Sequence, residues 1–359
     1  MIGSILEFVI ALGILITLHE LGHLLAAKLM RIEVEEFGLG FPPRIARLFT
    51  WGGTEFTLNW IPLGGFVRPR GENDPEVPGG LAAASPWKRL FVLLGGSTVN
   101  IITGILLFSL LFTTLGTPDV SRVRIMGVVE GSPAQQSGLQ VGDEITAVNG
   151  EAVTSIENVS QMIKAQVGKE ITITVLRSGQ TLDLRATPRV NPPPDQGALG
   201  ISLGNPTVSV PWIKTIPTAL QVTWAQVDAL VSLPAQLIRG DVQPEEARMV
   251  GPVGIFSMYD QSRESDIENA QQAPGDFSAQ ILNRLALLAT ISVALGITNL
   301  LPIPALDGGR ILFVLPEILF RRRVPAKYEN LVHLIGFAAL LLLMIYITTQ
   351  DILRPIQLP

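Results

Sequence analysis

The feature that most constrains this chain is the motif His19-Glu20-Leu21-Gly22-His23, which lies inside a long apolar stretch. Histidines four residues apart lie on one face of a helix, where two imidazoles can hold a single zinc ion. The intervening Glu20 can take a proton from water, whose pKa a bound zinc lowers toward ~7. Two buried histidines that merely satisfied each other would leave Glu20 as an unexplained buried charge. Because ionisable residues in lipid are costly, the motif predicts a functional site.

The composition indicates a membrane protein with a soluble insert. Hydrophobic residues make up 47% of the 359 positions and charged residues only 16%, and the net charge of -5 gives no argument for nucleic acid. Cysteine is absent, which excludes thiolate ligands and nucleophiles. The histidines are His19, His23 and His333. Since a catalytic zinc takes three protein ligands and keeps one open position, the third ligand is His333 or a carboxylate.

Apolar runs predict four transmembrane helices, at residues 2–30, 90–115, 281–301 and 331–348. The first has no basic region and no small-residue cleavage site, so we expect it to be retained, not removed as a signal peptide. A further apolar segment, 219–238, contains Asp228, which would cost roughly 2.5–3.5 kcal/mol at the centre of a span. We therefore expect 219–238 to be an amphipathic helix at the membrane surface. The polar residues 264–277 are expected to form a loop.

Two segments have strand signals. Residues 55–60 alternate strictly, which predicts a strand that turns at Pro62 and Gly64 toward a short partner at 66–67. This hairpin is either an ordinary cytoplasmic one or a β-loop beside the active site. Residues 123–187 combine short strands and helices, and the stretch GSPAQQSGLQVGDEITAVNG resembles a PDZ domain of the circularly permuted bacterial kind. Such a domain either binds peptides by adding a strand to its sheet or acts as a spacer or steric filter.

Charge distribution predicts the topology and, through it, the third ligand. Lysines and arginines concentrate at 28–89 and 310–327, which marks these segments as cytoplasmic. The first helix then runs from outside to inside, the insert lies outside, and the third helix carries Asp307 to the leaflet of the two histidines. Prolines and glycines around Asp307 interrupt the helix, as expected at a site. Asp307 is therefore the predicted ligand in preference to His333, and capping of the next helix is its alternative role.

These elements give a multi-pass α-helical membrane protein with four transmembrane helices, a membrane-associated β-hairpin and an inserted extracytoplasmic PDZ-like α+β domain. Residues 1–116 hold helices one and two with the histidine motif and the cytoplasmic-side hairpin loop. Residues 121–190 form the PDZ-like domain, 191–277 a linker and the amphipathic surface helix, and 278–359 helices three and four with the Leu306-Asp307-Gly308 motif.

The motifs together resemble the site-2 protease family of intramembrane zinc metalloproteases, in its RseP-like bacterial branch. The resemblance is carried by the first-span motif, the Gly-rich stretch ending at Asn100, the PDZ-like insert, and residues 251–255 and 299–309. It implies Zn2+ held by His19, His23 and Asp307, with Glu20 as general base. It also implies that Asn299 and Asn100 assist the substrate or transition state, although on its own Asn100 is better interpreted as helix packing. The resemblance further implies that an unwound substrate pairs with the 54–67 hairpin, which includes Asn59 and Trp60. This chain departs from the best-known type in having one PDZ-like domain instead of two.

The predicted function is hydrolysis of a peptide bond in or near a transmembrane helix of a membrane-anchored substrate, such as an anti-sigma factor or a signal-peptide remnant. The predicted location is the bacterial inner membrane, with the active site near the cytoplasmic leaflet and with the bilayer and transmembrane substrates as partners. One alternative is a catalytically silent scaffold that binds peptides through the PDZ-like domain, but the intact His19, Glu20, His23 and Asp307 argue against it. A metal transporter is a second alternative, and the lack of further intramembrane carboxylates counts against that.

Overall fold

A computed structural model describes residues 2–72, 74–193, 196–240, 248–272 and 280–355. Its elements follow in chain order: α1 (Ile2–Leu29), β1 (Val34–Trp51), β2 (Thr54–Pro69), α2 (Pro86–Leu115), β3 (Thr117–Pro118), β4 (Val123–Val128), α3 (Pro133–Gln136), β5 (Glu144–Val148), β6 (Glu151–Ala152), α4 (Ile156–Ala165), β7 (Ile171–Arg177), β8 (Gln180–Ala186), β9 (Ile201–Gly204), β10 (Thr207–Val208), α5 (Trp212–Arg239), α6 (Pro252–Gln272), α7 (Leu282–Leu300), α8 (Asp307–Phe320) and α9 (Ala326–Leu353).

Four of the described helices, α1, α2, α7 and α9, are long and apolar enough to cross a membrane. They coincide with the four predicted spans. The chain divides into two compact units, one formed by residues 1–111 with 212–359 and the other by residues 112–211. All four apolar helices belong wholly or mainly to the first unit, and β3 to β10 belong to the second.

The long strands β1 and β2 fold back to make four antiparallel segments. Phe37 in the first half of β1 pairs with both Val67 and Phe56, so this half lies between the two halves of β2. The second half of β1 pairs with the first half of β2, from Arg44–Asn59 to Trp51–Thr54. The predicted pairing of 55–60 with 66–67 is therefore wrong, because these segments flank β1 instead of meeting. Strand β1 was missed since its glycines and prolines break the alternation that signals a strand.

Glycines let β2 lie directly against α1. A Cβ on Gly64, whose φ is +107°, would come 2.6 Å from Cγ2 of Ile16. A Cβ on Gly65 would come 2.7 Å from the carbonyl oxygen of Gly38 in β1 and 3.5 Å from Oγ1 of Thr17 in α1. Because the approaches to Ile16 and Gly38 are too close for any side chain, the Gly64-Gly65 pair fixes the last segment of β2 beside the histidine motif.

Small residues also bring α2 against α1. A Cβ on Gly95 would lie 2.6 Å from the carbonyl oxygen of Gly22 and 2.8 Å from Cβ of Ala26. Backbones that approach this closely leave no room for larger residues at the crossing. The turns of α2 on either side of Gly95 therefore face the histidines of α1.

The regular helix breaks between α7 and α8, as the prolines predict, and α8 begins at Asp307. Helix α5 contains the predicted 219–238 helix and extends it to both sides. The expected loop at 264–277 is wrong up to Gln272, where α6 ends, and residues 273–277 lie outside the described residues. Asp266 of α6 is buried, and its carboxylate accepts the backbone N–H groups of Asn283 and Arg284 and so caps the start of α7. The exposed polar residues of the same helix include Glu264, Glu268 and Asn269.

The unit formed by residues 112–211 contains a sheet with the strand order β8-β7-β5-β4-β9, in which β6 pairs with β5. Its core includes the buried face of β7, formed by Ile171, Ile173 and Val175. The Ser155 hydroxyl caps α4, because it accepts the backbone N–H of Asn158. Strand β9 adds to this sheet from beyond residue 190.

A buried ion pair also orders this unit. The Asp143 carboxylate is buried and accepts hydrogen bonds of 2.6 Å from Nε and Nη2 of Arg177. Burial raises the pKa of Asp143, but the bonds from Arg177 and from the backbone N–H of Gln140 outweigh it and hold that pKa below its usual range. Because the folded-state pKa is lowered, this stabilisation is present near neutral pH and is lost as the pH falls through the folded-state pKa.

Candidate active site

Three side chains from two distant parts of the chain meet at one point. Nε2 of His19 and Nε2 of His23 are 3.1 Å apart, and each lies 3.2 Å from Oδ2 of Asp307. Helix α1 supplies both histidines on one face, and the break before α8 brings in the carboxylate. Leu306, not Asp307, is the N-cap of α8, and the Asp307 carboxylate contacts the two histidines. Within the described part of the chain, the capping alternative for Asp307 therefore does not hold.

The donor set and its spacing fit a zinc ion. Tetrahedral zinc with bonds of about 2.0–2.1 Å separates its ligand atoms by roughly 3.4 Å, close to the 3.1 and 3.2 Å seen here. The Nδ1–H of His23 donates to the carbonyl oxygen of Val92 at 2.8 Å. This bond fixes the tautomer of His23. The lone pair of its Nε2 is then directed at His19 and Asp307, as in most metal-binding histidines. We call His19, His23 and Asp307 the cluster.

Asn100 of α2 lies against the other histidine. Its side chain is completely buried, and its amide group is 3.4 Å from Nδ1 of His19. The other amide atom of Asn100, the oxygen Oδ1, has no hydrogen-bond partner among the described residues. If the amide is rotated by about 180°, its oxygen and nitrogen exchange places, and the oxygen accepts the Nδ1–H of His19. Nε2 of His19 is then free to bind a metal, as in His23. Asn100 thus contacts a histidine of the cluster, and packing is only part of its environment.

The carboxylate of Glu20 is bound by the β-sheet. The backbone N–H of Val67 donates to Oε2 of Glu20 at 3.1 Å. Val67 lies in the last segment of β2, which pairs with β1 along one edge only. Its N–H therefore points away from the sheet and toward α1. Strand β2 and the histidine motif form one continuous site.

A cavity of about 370 Å³ opens at this site. Its lining includes the following residues: His19, Glu20 and His23 of α1, Gly65, Phe66, Val67 and Pro69 of β2, Asn100, Asn299 and Asp307. Asn59 and Trp60 are not among the lining residues. The Asn59 amide donates to the carbonyl oxygen of Gly40 at 3.2 Å, and Trp60 is 67% exposed.

Several contacts at the site had no signal in the sequence. The groups that bind Glu20 and His23 are backbone N–H and C=O groups, which any residue supplies. An ion pair between Arg310 and Glu72 joins α8 to the segment after β2 at the edge of the cavity. These two residues are 238 positions apart, and nothing in their spacing indicates the contact.

Comparison with known proteins gives a consistent result. The model of Peptidase family M50 matches residues 7–343. A protein of Clostridium perfringens named as a candidate zinc metalloprotease is 30% identical over 351 residues, covering 97% of this chain and 98% of its own. A similarly named protein of Campylobacter jejuni is 31% identical, covering 97% and 93%. Zinc metalloprotease RasP of Oceanobacillus iheyensis is 26% identical, covering 98% and 99%.

Among solved structures, an HtrA-type protease with a decapeptide matches 23% of this chain at 30% identity. That match covers 25% of its own chain, and its TM-score is 0.20, too low for a structural argument.

Proposed function

Because this chain belongs to peptidase family M50, we propose that His19, His23 and Asp307 are its zinc ligands and Glu20 its general base. The expected enzyme class and metal, a zinc metalloendopeptidase, are confirmed by this membership and by the names of the relatives. The observation that carries the residue assignment is the meeting of the three ligand atoms at 3.1 to 3.2 Å beside Glu20.

The proposed chemistry divides between the metal and the chain. A zinc bound here supplies a Lewis acid that polarises the scissile carbonyl and makes water more acidic. Glu20 takes the proton from the attacking water and passes it to the leaving amine. Asn299, which lines the same cavity, provides an amide that donates to the substrate carbonyl. Asn100 and the Val92 carbonyl orient the two histidines.

We propose that the substrate binds as an extended strand along the free edge of β2, at Gly65–Pro69. A helix hides its carbonyl groups in its own hydrogen bonds, so a transmembrane substrate must unwind before it is cut. Pairing with the edge of β2 replaces the lost bonds through strand addition. The Glu20-to-Val67 bond supports this arrangement, because it places this edge of β2 beside the base and the metal ligands. A substrate strand that pairs there takes the Val67 N–H from Glu20 and releases its carboxylate. The relevant segment is the last part of β2, not the part that contains Asn59 and Trp60.

The second half of β1 and the part of β2 that follows Asn59 expose apolar side chains that suit contact with lipid. Strands β1 and β2 expose large apolar side chains, an arrangement that is rare on a surface facing water: Ile45, Leu48, Phe49, Trp51, Trp60 and Ile61. We propose that this surface contacts lipid at the cytoplasmic leaflet. The lysines and arginines at 28–89 and 310–327 support that side of the membrane. By the same topology the PDZ-like unit is extracytoplasmic, where it binds peptides or filters substrates by size.

The experiment that tests this function uses the purified protein in detergent with a single-span model substrate. We expect two new products whose masses locate the cut within or next to the apolar segment of the substrate. A matched substrate whose span is replaced by a soluble, flexible linker should remain intact. Equal cleavage of both substrates, or a cut far from the span, would contradict the proposal.

A further inference from the structure

The segment that delivers Asp307 to the cluster has an unusual backbone. Between α7 and α8 the chain makes short turns, in which the Leu306 N–H donates to the Ile303 carbonyl at 3.2 Å. Ala305, two residues before Asp307, has a φ of +79°. A residue with a Cβ avoids this left-handed region, and it persists there only when its surroundings hold it.

Helix α9 provides what holds this segment. The Ala305 N–H donates to Nδ1 of His333 at 2.8 Å. One turn further along α9, a Cβ on Gly336 would come 2.8 Å from the carbonyl oxygen of Pro304, so only glycine lets Pro304 lie against the helix. The His333 ring also contacts the Phe313 ring of α8, with centroids 5.5 Å apart. His333 thus touches both the segment before Asp307 and the helix after it.

We propose that His333 is a positioning residue for Asp307. Its Nδ1 holds the Ala305 N–H, which keeps the left-handed turn and thereby aims the Asp307 carboxylate at the two histidines. Because Nδ1 accepts this bond, the neutral ring carries its proton on Nε2. Neither nitrogen of His333 is among the ligand atoms that meet at His19, His23 and Asp307. This role accounts for the third histidine of the chain without zinc ligation. It rests on the proposed binding of zinc by Asp307.

The test compares zinc affinity in the wild type, His333→Leu and His333→Asn by competition with a chelator. Leucine removes the acceptor, and we expect zinc affinity to fall about ten- to hundredfold, the usual effect of losing a group that orients a ligand. The Asn side-chain oxygen takes the position of Nδ1, so His333→Asn should retain affinity within about threefold. Leu334→Ala, an exposed neighbour on α9, is the matched control and should bind zinc like the wild type.

A second variant separates positioning from packing. Ala305→Gly adopts a positive φ without strain, so in the His333→Leu background it should recover part of the lost zinc affinity. With the model substrate, His333→Leu should lower kcat and leave KM nearly unchanged, because the edge of β2 is untouched. Wild-type zinc affinity in His333→Leu, or an equal loss in His333→Asn, would overturn the proposal. Zinc affinity is measured without substrate, so a failure to cleave would count against the proposed function alone.

Discussion

Replacing Glu20 by Gln should abolish cleavage while leaving zinc bound. An amide cannot take a proton from the attacking water, and loss of a general base typically costs about 10²- to 10⁴-fold in rate. The ligand atoms of His19, His23 and Asp307 are unchanged, and the amide oxygen of the introduced glutamine can still accept the Val67 N–H. The measurement is the rate of product formation by mass, with zinc per chain determined on the same preparation.

Glu7→Gln provides the matched control for this change. Glu7 lies on the same helix but pairs with Arg263 and Arg284 away from the cavity. It should cleave at nearly the wild-type rate. A Glu20→Gln enzyme that retained cleavage within a few-fold of wild type would show that another group takes the proton.

Replacing Gly96 by Ala should remove the zinc itself. A Cβ at Gly96 would lie 2.6 Å from Nε2 of His19 and 2.5 Å from Nε2 of His23, inside normal contact distance. The new methyl group would occupy the space where the two nitrogens converge on the metal, so both rings must turn away. We expect zinc affinity to fall by about a hundredfold or more, at least as much as on losing an orienting group. Zinc per chain after dialysis against a chelator measures this.

Gly3→Ala is the control for the added methyl group, since a Cβ there meets nothing within 4 Å. It should keep full zinc and full activity. A Gly96→Ala protein that held zinc as tightly as the wild type would contradict this geometry. It would show that zinc does not bind where Nε2 of His19 and Nε2 of His23 meet beside Gly96.

The meeting of His19, His23 and Asp307 could be predicted from the sequence because it follows from helical periodicity and from a local break in a helix. Two histidines at helical spacing share a face, and the prolines before Asp307 mark the break that brings it to them. The four apolar helices were equally predictable, since only long uncharged runs can cross a bilayer. Topology placed Asp307 in the leaflet of the two histidines, and the helix break beside it favoured it over His333. In the structure Asp307 meets both histidines.

The remaining features depend on contacts that no local pattern encodes. Strand β1 contains glycines and prolines, which are typical of loops. Its first half nevertheless pairs on both sides, with the two halves of β2. Helix α6 is polar enough to read as a loop, but Asp266 caps α7 and Asp351 of α9 accepts the Gly251 and Gly254 N–H groups at the start of α6. Partners that lie far along the chain, or in the backbone, cannot be read from periodicity.

The central claim is the identity of the zinc ligands, and zinc K-edge X-ray absorption of the purified protein tests it most directly. Two imidazole nitrogens and a carboxylate oxygen should appear at about 2.0–2.2 Å from zinc, and a water oxygen should occupy the fourth position. The chain has three histidines in all, so the imidazole count is decisive. Two imidazoles agree with His19, His23 and Asp307, whereas three would put His333 on the metal and contradict both the ligand set and its positioning role.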